Sequence, residues 1–229
     1  MPWQSRLLKP LPWVVHATST RADGSLRYPN AGEAEDPWEM NREKFLRSLG
    51  IDPASVVFSG NTHGNQVLFL PLFKGELEGV TMQRIEGVDG LLTDLPNLAL
   101  GVKTADCMPI FVVDPSKRTV GLFHAGWKGV EAGMPKAAVE AFTAHGSNQR
   151  DLLVAIGPSI RSCHYRRSLQ DEAVEQLLTA GVPREHIDAT APCTACEQDK
   201  YFSYHLSKKS AESMLSVIAI HKNAVDKII

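Results

Sequence analysis

Four short runs, Leu98–Val102, Met108–Val113, Val120–His124 and Leu152–Ile156, are apolar without the alternation of a half-solvated strand. A strand that is apolar on both faces must be covered on both, so these runs call for a sheet enclosed by other layers. Asp114-Pro115-Ser116-Lys117 supplies a turn between two of them. Ser55–Ser59 and Gln66–Leu70 also read as strands, separated by the turn-prone Gly60-Asn61-Thr62-His63-Gly64. Met214–Ile220 reads as a late strand, with a helix over Lys208–Leu215 as the alternative.

Helices fall between these runs. Asp36-Pro37-Trp38-Glu39 combines a capping acid with a proline suited to a first turn, and Phe45, Leu46 and Leu49 then share a face before Gly50. A second helix follows Trp127. Pro135 is tolerated only in a first turn, so its regular part is expected from about Met134, with Ala138, Val139 and Phe142 inward. Ser168-Leu169-Gln170-Asp171 has the form of a capping box, ahead of Val174, Leu177 and Leu178. The mixture is of the α/β or α+β class. No linker or repeat divides it, so residues 1–229 are expected to form a single domain.

The 229 residues are 43% hydrophobic and 22% charged, enough to bury a core without cross-links. Lys+Arg total 24 against 26 Asp+Glu, which argues against nucleic acid as a partner but not against a small anion held by one or two basic groups. No apolar run has the length of a membrane span. Met1-Pro2-Trp3-Gln4 does not open a signal peptide, and four cysteines are too few for a disulfide scaffold. A cytoplasmic chain with reduced thiols, monomeric or weakly dimeric, is the expectation.

Chemistry concentrates between Asp89 and Gly133. Thr104-Ala105-Asp106-Cys107 breaks two apolar strands, and His124-Ala125-Gly126-Trp127-Lys128-Gly129 ends the next. His63 lies in the earlier turn. One thiolate and two imidazoles suit Zn²⁺ and leave a position free for water or substrate. On the residues alone, Cys107 could equally be a small buried hydrophobe, with the histidines capping turns. Cys107 and His124 would share an end of the fold only if the connection crosses over or the strands differ in length.

The runs Asp89-Gly90-Leu91-Leu92-Thr93-Asp94, Thr104-Ala105-Asp106-Cys107-Met108-Pro109 and His124-Ala125-Gly126-Trp127-Lys128-Gly129 resemble the multicopper polyphenol oxidoreductase (laccase-type) family. This family is better described as zinc purine nucleoside phosphorylases and adenosine deaminases. Ala155-Ile156-Gly157-Pro158-Ser159-Ile160, Cys193-Thr194-Ala195-Cys196 and Tyr201-Phe202-Ser203-Tyr204 extend the resemblance along nearly the whole chain. It implies a layered αββα sandwich with a mixed sheet and one metal held by His63, Cys107 and His124. It implies Zn²⁺ ahead of Cu²⁺, with purine nucleosides and phosphate as partners.

Asp106 is a candidate to orient a metal ligand or touch substrate. Lys128, Arg21 and Arg42 are candidates to hold an anion. His164 is a candidate proton carrier and Cys163 reads as a free thiol. The Cys193-x-x-Cys196 pair, with no second pair, does not define a zinc site. The chain departs from the family at Gly60-Asn61-Thr62, at Arg166-Arg167, in the short stretch from Ser168 to Cys193, and at His205-Leu206 where an arginine pair is usual. Lys128 stands where arginine is usual. Beside a non-catalytic partner protein, two other readings compete. One is a cysteine-dependent hydrolase or amidase, with Cys107 as nucleophile and His124 as base, acting in peptidoglycan precursor editing. The other is a copper phenol oxidase, which no His-x-His pair supports.

Overall fold

The computed structural model describes every residue except 31, 34, 71–82, 97, 209–211 and 222–229. In chain order the elements are β1 (Val14–Thr18), α1 (Glu39–Ser48), β2 (Val56–Ser59), β3 (Val67–Phe69), β4 (Gln83–Ile85), β5 (Gly90–Thr93) and β6 (Ala99–Thr104). There follow β7 (Met108–Asp114), β8 (Thr119–Ala125), α2 (Trp127–Glu131), α3 (Met134–Ala144), β9 (Leu153–Ile156), α4 (Leu169–Thr179), β10 (Ile187–Asp188), α5 (Tyr204–Ser207) and β11 (Met214–Ile220). They make two mixed sheets, ordered β1-β11-β6-β2-β4 and β10-β9-β7-β8-β5-β3.

The two-faced apolar strands explain the layering. In β7, Phe111 and Val113 point into the space between the sheets, where they meet Leu100, Val102, Leu122 and Ile218. Ile110 and Val112 point the other way, into a second core with Val139 and Phe142 of α3 and Ala173 and Leu177 of α4. The outer face of the first sheet buries Val56, Phe58, Leu215 and Val217 under Phe45 and Leu46 of α1 and under Tyr28. The order of layers is therefore helix, sheet, sheet, helix, as the resemblance implies. Each such side chain, fully buried, contributes about 1.5–3 kcal/mol of burial free energy.

Tertiary pairing settles the ambiguous segments. Met214 and Leu215 pair with Thr104 and Lys103, so the strand forms and the helical alternative fails there; residues 209–211 of that alternative lie outside the described residues. The helix after Trp127 is two helices, because Gly133 between them takes φ 86°, a left-handed conformation that favours glycine. α1 starts at Glu39, with Asp36 accepting the Trp38 amide at 3.3 Å. No helix among the described residues is long and apolar enough to cross a membrane.

One edge of the sandwich collects the chemistry. β2 runs parallel to β6, so their C-terminal ends emerge together. From β6 the chain passes to the other sheet through Ala105-Asp106-Cys107. β7 and β8 are an antiparallel pair in which Met108 faces Ala125. The opening of one and the end of the other must then share an edge, and Cys107 and His124 meet with no crossover and no mismatch of strand length. The expectation that one of these was required is corrected.

Candidate metal centre and its clefts

His63, Cys107 and His124 present their Nδ1/Nε2 and Sγ atoms within 4.8 Å of one another. The two imidazoles stand edge to face, with ring centroids 4.8 Å apart at 84°. His63 is exposed, Cys107 half-buried and His124 buried. His63 has φ 66° and Asp106, before Cys107, φ 89°, both costly conformations for residues with side chains. Gly126 explains how the chain passes so close. A Cβ there would lie 2.8 Å from Cys107 Sγ and 3.3 Å from His63 Cδ2.

Asp89, completely buried before β5, organises two of the three loops. Its Oδ1 lies 3.0 Å from His124 Nδ1 and accepts the His63 amide at 2.8 Å. Its Oδ2 accepts the Gly64 amide at 2.8 Å and the Thr62 hydroxyl. Burial pushes the carboxyl pKa up, but the bonds from His124, Thr62 and the two amides hold it well below the usual carboxylate range. With Nδ1 engaged, His124 has Nε2 left for the sulfur or a metal.

The thiol and imidazole tune each other. Burial pushes the Cys107 thiol up; the His124 charge and hydrogen bonds from His124 and His63 more than reverse this and bring it to about 6. Burial pushes His124 down; the Cys107 thiolate and the bond to Asp89 bring it up to about 9. A thiolate at neutral pH, flanked by two imidazoles, one of them backed by a carboxylate, is a donor set for a divalent metal. The residues present fit such an ion.

Two clefts meet at these donors. One, of about 290 Å³, is walled by Trp127, Ile160, Tyr165, Leu169 and Tyr204, with His63 and Cys107 at its floor. The other, of about 440 Å³, shares His63, Cys107 and Tyr204 and adds Arg27, Asn61 and Lys103. Lys103 Nζ donates to Asn30 Oδ1 at 2.7 Å and to the Tyr28 carbonyl at 3.1 Å. Burial lowers its pKa, with help from the charges of Arg27 and Arg84, to about 8.

The other site candidates are placed differently. Asp106 borders the apolar cleft, but its carboxylate accepts from Thr194 Oγ1 at 2.6 Å, Ser203 Oγ at 3.0 Å and the His205 amide at 2.6 Å. It ties pocket walls to the Cys107 loop, a positioning role. Arg42 is buried in α1, paired with Asp36 and donating to the Arg27 carbonyl, and is not among the residues lining the two clefts. Arg21 stacks 4.5 Å over Phe202 beside a separate hollow. Lys128 follows Trp127 into solvent, 5.5 Å from its ring. Sequence reasoning passed over Asp89, Lys103 and Arg27. The available signal was a lone charge in or beside an apolar strand, as in Leu100-Gly101-Val102-Lys103.

A model of the multi-copper polyphenol oxidoreductase laccase family matches residues 23–172 and 166–221. The chain is 30% identical over 213 residues, 79% of its length and 76% of the relative's, to the purine nucleoside phosphorylase YlmD of Bacillus subtilis (strain 168). It is 31% identical to adenosine deaminase RL5 from an unknown prokaryotic organism, over 68% of this chain and 71% of that one. The purine nucleoside phosphorylase YlmD of Geobacillus stearothermophilus is 34% identical over 58% of this chain, a match that spans only 60% of the relative. The crystal structure of YlmD from that organism superposes with a TM-score of 0.83 at 27% identity, covering 93% of this chain and 94% of that one. The chain belongs to the multi-copper polyphenol oxidoreductase laccase family.

Proposed function

We propose that the chain is a zinc-dependent purine nucleoside phosphorylase that also deaminates adenosine. The observation that carries this reading is the placement of His63, Cys107 and His124 where an aromatic, apolar cleft meets a polar one that holds both cations and carboxylates. The names of the relatives supply the reaction class. A purine is flat and apolar with polar edges, and Trp127, Tyr165 and Tyr204 offer it ring faces. Ribose and phosphate fall to the side of Arg27 and Lys103, cationic donors in a cleft that Glu33 and Glu212 also line, with Arg27 paired to Glu33 at 2.5 Å.

In phosphorolysis a phosphate oxygen bonds to the ribose anomeric carbon, the bond from that carbon to the purine breaks, and the base leaves with a proton. Arg27 and Lys103 hold the phosphate, and the aromatic walls keep water from the anomeric carbon. In deamination, water replaces the amino group at C6 and ammonia leaves. His63, Cys107 and His124 would hold zinc, which when bound supplies Lewis-acid stabilisation of developing negative charge. Asp89 fixes the ring plane of His124 throughout.

The row Asp89–His124–Cys107 also has the form of a cysteine hydrolase triad. His63 counts against it, because a nucleophile of that kind needs one imidazole, and a second at the same sulfur would only compete. The test is elemental analysis of the purified chain, then assay of adenosine and inosine with and without phosphate. Zinc-dependent, phosphate-dependent release of base supports the proposal. Full turnover by metal-free Cys107→Ala protein overturns it. Alkylation of Cys107 by iodoacetamide at a rate indifferent to zinc points to the hydrolase.

A further inference from the structure

A second set of donors stands outside the clefts. Cys163 and His164, adjacent in the chain, come together with Cys193 and Cys196, and the four donor atoms lie within 4.8 Å of one another. Cys163 Sγ is 3.6 Å from Cys193 Sγ and 3.4 Å from Cys196 Sγ. His164 Nδ1 is 3.4 Å from Cys163 Sγ and 3.5 Å from Cys196 Sγ. Tetrahedral zinc bonded at its usual lengths requires edges of about 3.8 Å between sulfurs and about 3.6 Å between sulfur and nitrogen. The four separations fall about 0.1–0.4 Å inside those edges and are far from the roughly 2.05 Å of a disulfide. All four cysteines of the chain are free thiols.

The backbone is shaped for the same purpose. The Cys193 side chain is buried, and the turn after it is closed by the Glu197 amide donating to the Cys193 carbonyl at 3.0 Å. The opposing turn is closed by the His164 and Tyr165 amides donating to the Arg161 carbonyl, both at 2.9 Å. The turns touch through the Ser159–Cys193 bridge and the Thr194 amide on the Ser159 carbonyl at 3.1 Å.

We propose that Cys163, His164, Cys193 and Cys196 form a closed, structural zinc site, distinct from the donors at the clefts. Three sulfurs and one imidazole fill the four positions that zinc takes in structural sites, leaving none for substrate. The ion staples two surface turns that carry the wall of the apolar cleft. Tyr165 follows His164, and Thr194, beside Cys193, holds Asp106. Without it, two exposed thiols beside a buried third would be open to oxidation.

The experiment uses full-length protein kept under reductant and loaded with zinc, with cobalt(II) as the spectroscopic replacement. Wild type is expected to hold two metal equivalents, and Cys107→Ala and the pair Cys163→Ser with Cys196→Ser one each. Cobalt-loaded Cys107→Ala should show the intense thiolate-to-cobalt charge transfer and strong ligand-field bands of a tetrahedral, multi-thiolate centre. This reading is made on a variant in which the cluster is untouched, so it stands even if the double serine variant fails to fold. A folded Cys107→Ala protein with no metal and no such bands overturns the proposal. So does a disulfide within the cluster of the reduced, metal-loaded protein, detected by mass spectrometry. One equivalent in both wild type and Cys107→Ala supports this site while sinking the metal centre at the clefts.

Discussion

The two donor clusters are built on different kinds of backbone. His63, Cys107 and His124 come from three strand ends at one edge of a sandwich, and buried Asp89 fixes two of their loops. Cys163, His164, Cys193 and Cys196 come from two surface turns, three of the four exposed. The first offers three donors and opens onto two clefts; the second offers four and closes on itself. A site that keeps a coordination position free must be held apart by the layers of the fold, whereas a closed site needs only two turns and its ion.

The largest test of this contrast removes the shared sulfur. Cys107→Ala should cut nucleoside turnover on the order of 10³-fold or more while the turn cluster keeps its metal, read from initial rates beside elemental analysis. Asp89→Asn comes next, with zinc affinity at the clefts falling roughly 10–100-fold in a competition titration and no change at the turns. In metal-free protein the alkylation rate of Cys107 should rise through a midpoint near pH 6, where its pKa of about 6 places the thiolate. Asp89→Asn should move that midpoint upward. Losing the carboxylate makes His124 harder to protonate, and a less charged His124 stabilises the thiolate less.

Gly126→Ala is smaller and purely steric. The added methyl meets Cys107 Sγ at 2.8 Å, and overpacking of this kind costs about 1–3 kcal/mol. It should appear as weaker zinc binding at the clefts, with an unchanged cobalt spectrum from the turns. Lys103→Gln is the mildest. It should raise the KM for phosphate about tenfold and leave adenosine deamination, which uses no phosphate, near its original rate. An equal loss in both reactions would remove Lys103 from the phosphate side.

Much of the fold was legible because its strands are apolar on both faces. Met108–Val113, Val120–His124 and Met214–Ile220 all appear within a residue or so of the expected limits. Gln66–Leu70 likewise forms β3, but the short edge strand β4 owes its conformation to β2, and nothing in Gln83-Arg84-Ile85 alone marks a strand. Within the site, the three donor types could be named from sequence, and a hairpin register invisible to spacing brings two of them together. The basic residues were harder. Arg42, Arg21 and Lys128 look alike in sequence, yet a carboxylate at Asp36 claims the first, the Phe202 ring the second and solvent the third. Cys193-x-x-Cys196 lacked a second pair only because its partners, Cys163 and His164, are neighbours rather than spaced apart.

Tyr165 follows the turn at residues 161–164 and Tyr204 heads α5, whereas His124 lies on β8 and Cys107 directly precedes β7. Insertions, deletions and residue swaps accumulate most readily in such connections. Arg166-Arg167 and His205-Leu206 fall in them. Under the proposed function, changes in those segments would alter the fit of the base while leaving His63, Cys107 and His124 in place.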